Sequence, residues 1–426
     1  MSEFYRDLLT VLCIGLLAWG VIRVERIYQY PFFMGSIFVS FILPQVFSLF
    51  NKPGPVTNDA LEKLLLMSCL CAVACWIGYE MKPNKKWISK LNIVIDERKL
   101  FQAGIALMAQ GWFFNFLISR TDIQTSATNG NWTGPATIYL FFSQVINIAF
   151  AIFFLQTLKR PSITNIIFTI ISSLPILSIV FVGRRQVTMT LIIIIGLSLY
   201  LVRRYIPPRW IVIAALLSIT FLIPLFGELR GGFWNLVFSG DWQELISLAQ
   251  KAFNSQQKGD ILELRNAALL IDAVSQTNKY GLGTGWWDAI IFQYVPGQIV
   301  GYDLKESLQF KVLNFDLLSS LYEYQIPTGT TITGVGDSFI EFGYLGSFCF
   351  FIIGYMFKNL WISSFYMKST ISRLLYMGLV SSAMLALTHG VGRFFQEAIF
   401  QIFFVSLVAY YAQVKYKPYS SQLIDS

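Results

Sequence analysis

Long apolar runs separated by short polar connectors occupy most of this chain and leave few folds open to it. A helix that crosses a bilayer needs about 20 mostly apolar residues, and eleven runs meet or approach that length. They cover residues 8–24, 31–50, 64–79, 100–119, 136–158, 164–182, 187–202, 210–227, 339–357, 374–388 and 394–412. The sequence therefore predicts an all-α polytopic membrane protein with about 11 transmembrane helices.

The composition indicates membrane insertion and argues against a nucleic-acid partner. Hydrophobic residues make up 55% of the chain and charged residues 13%, whereas soluble proteins carry about 25% charged residues. The formal net charge of +8 resides in short connectors, where Lys and Arg set membrane topology. All five cysteines lie in apolar runs, so we expect packing roles rather than disulfides or a metal site. No cofactor is predicted.

Basic connectors alternate with neutral or acidic ones and predict the orientation of the chain. Lys and Arg are concentrated after the first, third, fifth, seventh and ninth runs and in the C-terminal tail. The connectors after the second, fourth and eighth runs are neutral or acidic. Because Lys- and Arg-rich loops stay in the cytoplasm, the neutral and acidic connectors are expected to face outward. The first run lacks a cleavage pattern and is expected to remain as a helix.

One polar segment, residues 228–338, interrupts the apolar pattern and is expected to lie outside. From residue 228 to Glu341 the chain holds 13 acidic and seven basic residues, a net charge of −6. We therefore divide the chain into N-terminal helices at 1–227, this large loop at 228–338, and C-terminal helices with a cytoplasmic tail at 339–426. Within the loop, periodicity predicts helices at 260–275 and 286–300, the second lying at the membrane surface.

Two glycine-rich stretches in this segment have ordinary structural explanations. Gly281, Gly283 and Gly285 lack the strand–turn–helix context of a dinucleotide site, and we interpret them as a flexible turn. The stretch 328–337 is rich in Gly and Thr. Such a stretch can hold an anion at a helix N-terminus, but an ordinary entry loop is the interpretation that we favour.

Three arginines fall on the predicted outer face against the charge rule. Arg184 and Arg185 occupy the short turn between the sixth and seventh runs, and Arg393 follows the tenth. One such arginine is explained by snorkelling to lipid phosphates. A pair and a third cation on the face that carries the acidic segment favour a functional site.

These features together resemble a known family. A multi-helix protein with a Gly183-Arg184-Arg185 turn, one large outward loop, and the sequence GDSFIEFGYLG from Gly336 to Gly346 at the loop's exit resembles bacterial O-antigen polymerases of the Wzy type. These polymerases are related to O-antigen ligases. The resemblance implies a membrane glycosyltransferase fold, GT-C-like, of the ligase and polymerase branch.

The resemblance also implies a reaction and a location. A growing glycan would pass from undecaprenyl diphosphate to the sugar of a new lipid-linked repeat unit, without metal or nucleotide sugar. The site would face the periplasm from the bacterial inner membrane. Undecaprenyl-diphosphate-linked oligosaccharide and the lipid bilayer are the expected partners, and the resemblance admits a chain-length regulator as a third.

The chemistry of such a site selects candidate residues. A departing diphosphate needs fixed positive charge, and arginine binds phosphate with two parallel hydrogen bonds. The outward arginines form the candidate set for diphosphate binding, namely Arg184, Arg185, Arg230, Arg265 and Arg393.

The acceptor hydroxyl in that reaction needs a base. His389, the only histidine, is the first candidate, although a lone histidine at a helix end is more often structural. Asp337 and Glu341 share a helical face and are the alternative base, or they orient an arginine.

Two other functions remain open at this point. A flippase or transporter of lipid-linked oligosaccharide would bind the same ligand. Transporters of this kind usually show internal repeats and polar residues buried in mid-helix, and neither is clear in the sequence. An O-antigen ligase would differ from a polymerase only in its acceptor.

Overall fold

The structure is a computed structural model that describes residues 1–122, 124–125, 132–228, 233–258, 262–312, 316–327 and 329–414. Nearly all of its regular structure is helical. The first eleven α-helices are α1 Ser2–Ile22, α2 Tyr30–Ile37, α3 Leu43–Asn51, α4 Asn58–Glu80, α5 Lys85–Leu91, α6 Glu97–Arg120, α7 Pro135–Ser143, α8 Ile146–Lys159, α9 Ile163–Phe181, α10 Arg185–Arg203 and α11 Arg209–Glu228.

The polar segment and the C-terminal part supply eleven more α-helices. They are α12 Phe233–Ser239, α13 Trp242–Lys258, α14 Glu263–Thr277, α15 Thr284–Tyr294, α16 Gly297–Val300, α17 Tyr302–Ser307, α18 Asp316–Tyr322, α19 Thr333–Phe342, α20 Phe348–Phe365, α21 Thr370–His389 and α22 Val391–Ala412. Shorter elements are the 3-10 helices Val24–Tyr28 and Gly343–Ser347, the π-helical turn Phe38–Ile42, and an antiparallel pair of two-residue strands, β1 Gln124–Thr125 and β2 Trp132–Thr133.

Ten helical stretches within the described residues are long and apolar enough to cross a membrane, which confirms the predicted polytopic, all-α class. They are Ser2–Ile22, Tyr30–Asn51, Asn58–Glu80, Glu97–Arg120, Pro135–Lys159, Ile163–Phe181, Arg185–Arg203, Thr333–Phe365, Thr370–His389 and Val391–Ala412. The eighth predicted helix corresponds to α11, which is apolar over Arg209–Ser218. Of the ten, α21 is the most buried and forms the centre of the bundle.

The connectors predicted to be cytoplasmic lie together at one end of the bundle. Lys159, after α8, forms an ion pair of 2.9 Å with Glu97 at the start of α6 and donates to Thr370 at the start of α21. Arg204, after α10, lies 3.8 Å from the ring centroid of Phe365 at the end of α20. The alternation of charge along the chain therefore matches a real division between the two ends of the bundle.

The ninth predicted helix, 339–357, is broken in the structure, and that part of the prediction is wrong. α19 ends at Phe342, a 3-10 helix covers Gly343–Ser347, and α20 starts at Phe348. Gly343 has φ +58°, a conformation that favours glycine. Gly346 packs so closely on the Ser338 carbonyl that no Cβ would fit there. The two glycines allow the chain to turn between α19 and α20.

The polar segment packs onto the membrane helices through α14 and α15. The predicted helix 260–275 appears as α14, and the predicted helix 286–300 appears as α15 and α16, interrupted at Pro296. α14 contacts α4 and α19, and α15 contacts α22. Asp272 of α14 is buried and accepts hydrogen bonds from Lys63 of α4 at 3.5 Å and from Tyr322 at 2.7 Å. The segment is thus joined to the bundle by buried polar contacts.

Candidate functional site

Two interhelical turns meet at the end of the bundle that carries the polar segment. Gly183, with φ +85°, separates α9 from α10 and places Arg184 and Arg185 at the start of α10. Gly390, with φ +119°, ends α21 after His389, and α22 begins one residue later. Both turns need a positive φ that glycine adopts without strain. They bring the predicted arginine pair and the histidine to the same end of the molecule.

His389 lies among three charged groups. The guanidinium groups of Arg393 and Arg185 and the carboxylate of Glu397 all act electrostatically on its imidazole. Nδ1 lies 2.7 Å from the Thr388 hydroxyl, and the tautomer decides which atom donates. A substantial part of the surface of His389 is accessible.

Arg393 is held by a partner that the sequence analysis did not select. Its Nη2 lies 3.0 Å from Glu397 Oε1, one turn further along α22. Glu397 also accepts from Gln186 of α10 at 2.8 Å and from Ser382 of α21 at 3.0 Å. A carboxylate with these donors fixes the guanidinium and ties three helices together. Opposite charges four residues apart are the only sequence signal for this pair.

A cavity of about 510 Å³ opens below these residues, between α6, α7, α8, α9, α10, α21 and α22. Arg184, Arg393 and Glu397 lie in its wall. The rest of the lining mixes amide and hydroxyl side chains, such as Gln144 and Ser381, with aliphatic and aromatic ones. The charged residues of the two turns are therefore continuous with a mainly apolar cavity that has polar groups in its wall.

Glu263, at the start of α14, is a further carboxylate facing this cluster. Burial raises the pKa of Glu263 to about 7, while the charge of Arg185 and hydrogen bonds from Gln45 and the Thr331 backbone oppose that shift. The Thr331 hydroxyl in turn donates to the carbonyl of Thr388, at 2.6 Å. Residues 329–332 therefore form a loop that touches the turn carrying His389 and leads into α19, to which residues 333–337 already belong.

Asp337 holds the start of α22. Its Oδ2 accepts from the backbone amides of Val391 at 2.6 Å and Gly392 at 3.2 Å, and from the indole of Trp286 at 3.0 Å. An aspartate that receives the first amides of a helix is an N-terminal cap. This contact accounts for the position of Asp337 beside the turn that follows His389.

Glu341 is fully buried and supports the turn of Gly281, Gly283 and Gly285. Its Oε2 accepts from the Gly283 amide at 2.6 Å, and a Cβ on Gly281 would collide with its carboxylate. The predicted turn is present at Gly281 and Gly283, where these contacts hold it in place, whereas Gly285 belongs to the first turn of α15. The hydrogen bonds of Asp337 and Glu341 go to backbone amides and an indole, whereas the carboxylate paired with Arg393 is Glu397.

The remaining predicted arginines are placed differently. Arg265 donates to the Lys52 carbonyl at 2.8 Å and packs beside Gly54, so it braces the connector between α3 and α4. Arg230 lies outside the described residues. The cluster at the two turns therefore comprises Arg184, Arg185 and Arg393 with His389.

This arrangement can bind an anion and exchange a proton at one place. Fixed guanidinium groups stabilise developing negative charge where water is scarce, and an imidazole can accept or donate a proton. Within the described ranges, no group of three or more His, Cys, Asp or Glu residues has the arrangement of a metal site. No protein-family model, curated protein or solved structure matches the chain.

Proposed function

We propose that this protein is a polysaccharide polymerase of the bacterial inner membrane, with its site at the periplasmic face. The single observation that carries the proposal is the placement of Arg185 and Arg393 around His389. The multi-pass helical architecture and the polar segment packed at the same end of the bundle support it.

The proposed reaction uses these groups in one displacement step. An acceptor hydroxyl gives its proton to His389 as its oxygen bonds to the anomeric carbon of the donor glycan. The bond from that carbon to the undecaprenyl diphosphate oxygen breaks, and the electron pair leaves with the diphosphate. Arg184 and Arg185 stand at the start of α10, where a guanidinium fork can receive the departing charge. Such catalysis needs His389 to carry a lone pair on Nε2, as it does when Nδ1 donates to Thr388.

Substitutions in the producing bacterium test this function. His389→Ala is expected to stop chain growth and to leave single lipid-linked repeat units at the outer face. Arg185→Lys keeps the charge but loses the two-pronged geometry, and is expected to shorten the polymer strongly. Arg160→Lys, an exposed arginine at the opposite end of the bundle, is the matched control and should make normal polymer.

Two outcomes contradict the proposal. Long polymer from cells with normally expressed His389→Ala protein removes His389 as the base, and full activity of Arg185→Lys removes the diphosphate assignment. Transfer of finished chains to a different acceptor, with polymer length unaltered, identifies a ligase instead.

A lipid-linked oligosaccharide flippase is the second candidate, and the intramembrane cavity is the observation that favours it. A space of about 510 Å³ with charged and amide groups at its wall is the type of polar passage a transporter uses. The two functions differ in where substrate collects when the protein is inactivated. Accumulation of repeat units on the cytoplasmic face would support the flippase and count against the polymerase.

A further inference from the structure

The wall of the intramembrane cavity carries more polar groups than a lipid chain would require. Among its mainly apolar lining are the amide residues Asn115, Gln144, Asn147 and Gln401 and the hydroxyl residues Ser381 and Ser382. Polar side chains inside a membrane bundle are unfavourable unless they find partners. Asn115 and Ser382 are already paired within the protein, with the Gly111 carbonyl at 2.8 Å and with Glu397 at 3.0 Å. An undecaprenyl chain offers no hydrogen bonds, so it could not satisfy any polar atom of the wall that is still unpaired.

One acceptor atom in this wall has no hydrogen-bond partner within the described part of the chain. Asn147 donates from its side-chain amide to the Gln144 carbonyl at 3.2 Å, but its buried Oδ1 accepts no hydrogen bond there. A buried acceptor without a donor is rare in folded proteins and calls for an explanation. A ligand that brings a hydroxyl or amide hydrogen to this wall would satisfy it once the Asn147 side chain turns toward the cavity.

The charge of the cavity argues against an anionic occupant deep inside. The guanidinium of Arg393 is already neutralised by Glu397 at 3.0 Å, and Glu397 itself is saturated by Gln186 and Ser382. A diphosphate inserted beside Glu397 would meet a carboxylate of like charge. Its place is near the arginines at the start of α10, which leaves the interior for an uncharged group.

We infer that this cavity is a carbohydrate-binding site, which takes the sugar part of a lipid-linked glycan while the diphosphate stays at the arginines. Sugar hydroxyls both donate and accept, as the amides and hydroxyls of the wall do. The C–H faces of a sugar ring match the apolar part of the lining, such as Leu140 and Phe400. The volume lies within the usual range for small-molecule sites, about 300–1,000 Å³. This inference deepens the proposed function and rests on it for the identity of the glycan.

The test measures binding to the purified full-length protein in lipid nanodiscs. The probes are the producing bacterium's undecaprenyl-diphosphate repeat unit and undecaprenyl diphosphate without sugar. Asn147→Leu keeps the size of the side chain and removes its amide. We expect about tenfold weaker binding of the glycan-bearing probe, an effect in the range of one or two lost hydrogen bonds, and unchanged binding of the bare lipid diphosphate.

If Asn147 only stabilised the fold, its replacement would lower the melting temperature of the ligand-free protein. The Asn147 Oδ1 makes no hydrogen bond to the described chain, and the Gln144 carbonyl keeps the backbone amide of residue 147 as a donor at 3.1 Å. The melting temperature of the ligand-free Asn147→Leu protein should therefore change little. Gln401→Met is the second variant, with the same expected selectivity, and replaces Asn147→Leu if that protein does not accumulate. Gln243→Leu, at an exposed position of α13, is the control and should bind both probes normally.

The outcomes separate this inference from the proposed function. Equal binding of both probes to wild type and variants overturns the carbohydrate site, even when His389→Ala blocks polymerisation. An equal loss of affinity for both probes also overturns it. Conversely, a selective loss of affinity for the glycan-bearing probe upholds the site. That conclusion holds even if cells that lack this protein still make polymer.

Discussion

Arg393 and Glu397 stand one turn apart on α22, and their charged groups meet at 3.0 Å in the wall of the cavity. The Glu397 carboxylate is largely shielded from solvent, with 16% of its side chain exposed, whereas the Arg393 side chain is 35% exposed. The shielded partner also receives Gln186 and Ser382. Glu397 therefore holds the Arg393 side chain in position.

Substitution of Glu397 should lower both the stability and the activity of the protein. Glu397→Gln leaves Arg393 without its counter-charge and Gln186 facing another amide. We expect a loss of roughly 1–3 kcal/mol in the free energy of unfolding, the range for hydrogen bonds to charged groups. Thermal unfolding in detergent and polymer length in cells measure the two effects.

An exposed ion pair supplies the control for Glu397→Gln. Glu306 pairs with Lys311 at 3.0 Å, and more than half of each side chain is exposed. Glu306→Gln should change the free energy of unfolding by about 1 kcal/mol or less. Equal effects of the two substitutions would refute the positioning role of Glu397.

The pKa of Glu263, near 7 because of burial, predicts a pH dependence of stability. Its ordinary value is 4.5, so between pH 4.5 and 7 the folded protein holds a proton that the unfolded chain releases. Wherever the folded state binds more protons, stability falls as pH rises. The melting temperature should therefore decline across this window, and Glu263→Gln should flatten the decline.

Glu244→Gln, at an exposed position in α13, is the control for this pH measurement. It should leave the wild-type slope unaltered. A Glu263→Gln protein whose melting temperature follows the wild-type pH profile would show that Glu263 does not titrate in this window.

The contact between α19 and α21 predicts different effects for two glycine substitutions. A Cβ on Gly334 would collide with the carbonyl of Ala386, so Gly334→Ala must push the helices apart. We expect a loss of about 1–3 kcal/mol and weaker activity, since the His389 turn follows Ala386 directly. Thermal unfolding and a polymer assay provide the measurement.

Gly196, in the middle of α10, offers the matched control. The nearest atom to a Cβ there is a Tyr28 ring carbon at 3.7 Å, an ordinary contact distance. Gly196→Ala should be neutral or stabilising, by up to about 1 kcal/mol. Similar destabilisation by both alanines would disprove the close-packing argument.

Asp337→Asn tests whether the helix cap explains this residue. The amide keeps the shape of the side chain but loses the charge that favours the amino end of α22. We expect about 1–2 kcal/mol of lost stability and partial activity, whereas a catalytic base would give complete inactivity at unchanged melting temperature. Asp303→Asn, on the exposed helix α17, should leave both properties as in wild type.

The apolar runs and the charge of the connectors predict the helical class and the grouping of His389 with Arg185 and Arg393. The helical class depends on the length of the apolar runs. The grouping depends on which end of a membrane span each residue occupies. The partnership of Glu397 with Gln186 was not predictable in this way, because it depends on how α22 and α10 are rotated about their axes. Spacing along one helix reveals Arg393 and Glu397 as neighbours, but it does not show that they face a cavity.

The roles of Asp337 and Glu341 show a second limit of sequence analysis. Their spacing on one helical face suggested a joint role, and both carboxylates are in fact used by backbone amides far away in sequence. Helix caps and turn supports of this kind join segments about 55 residues apart. Local periodicity carries no record of such partners.

The buried link between Asp272 of α14 and Lys63 of α4 has a consequence for protein engineering. The polar segment relies on contacts with helices encoded far outside it, so residues 228–338 do not form a portable module. A chimera that receives only this segment from another protein of the same architecture would leave Lys63 of α4 without its Asp272 partner unless the new segment supplies an equivalent carboxylate. A transplant of this segment must carry the facing stretch of α4 with it.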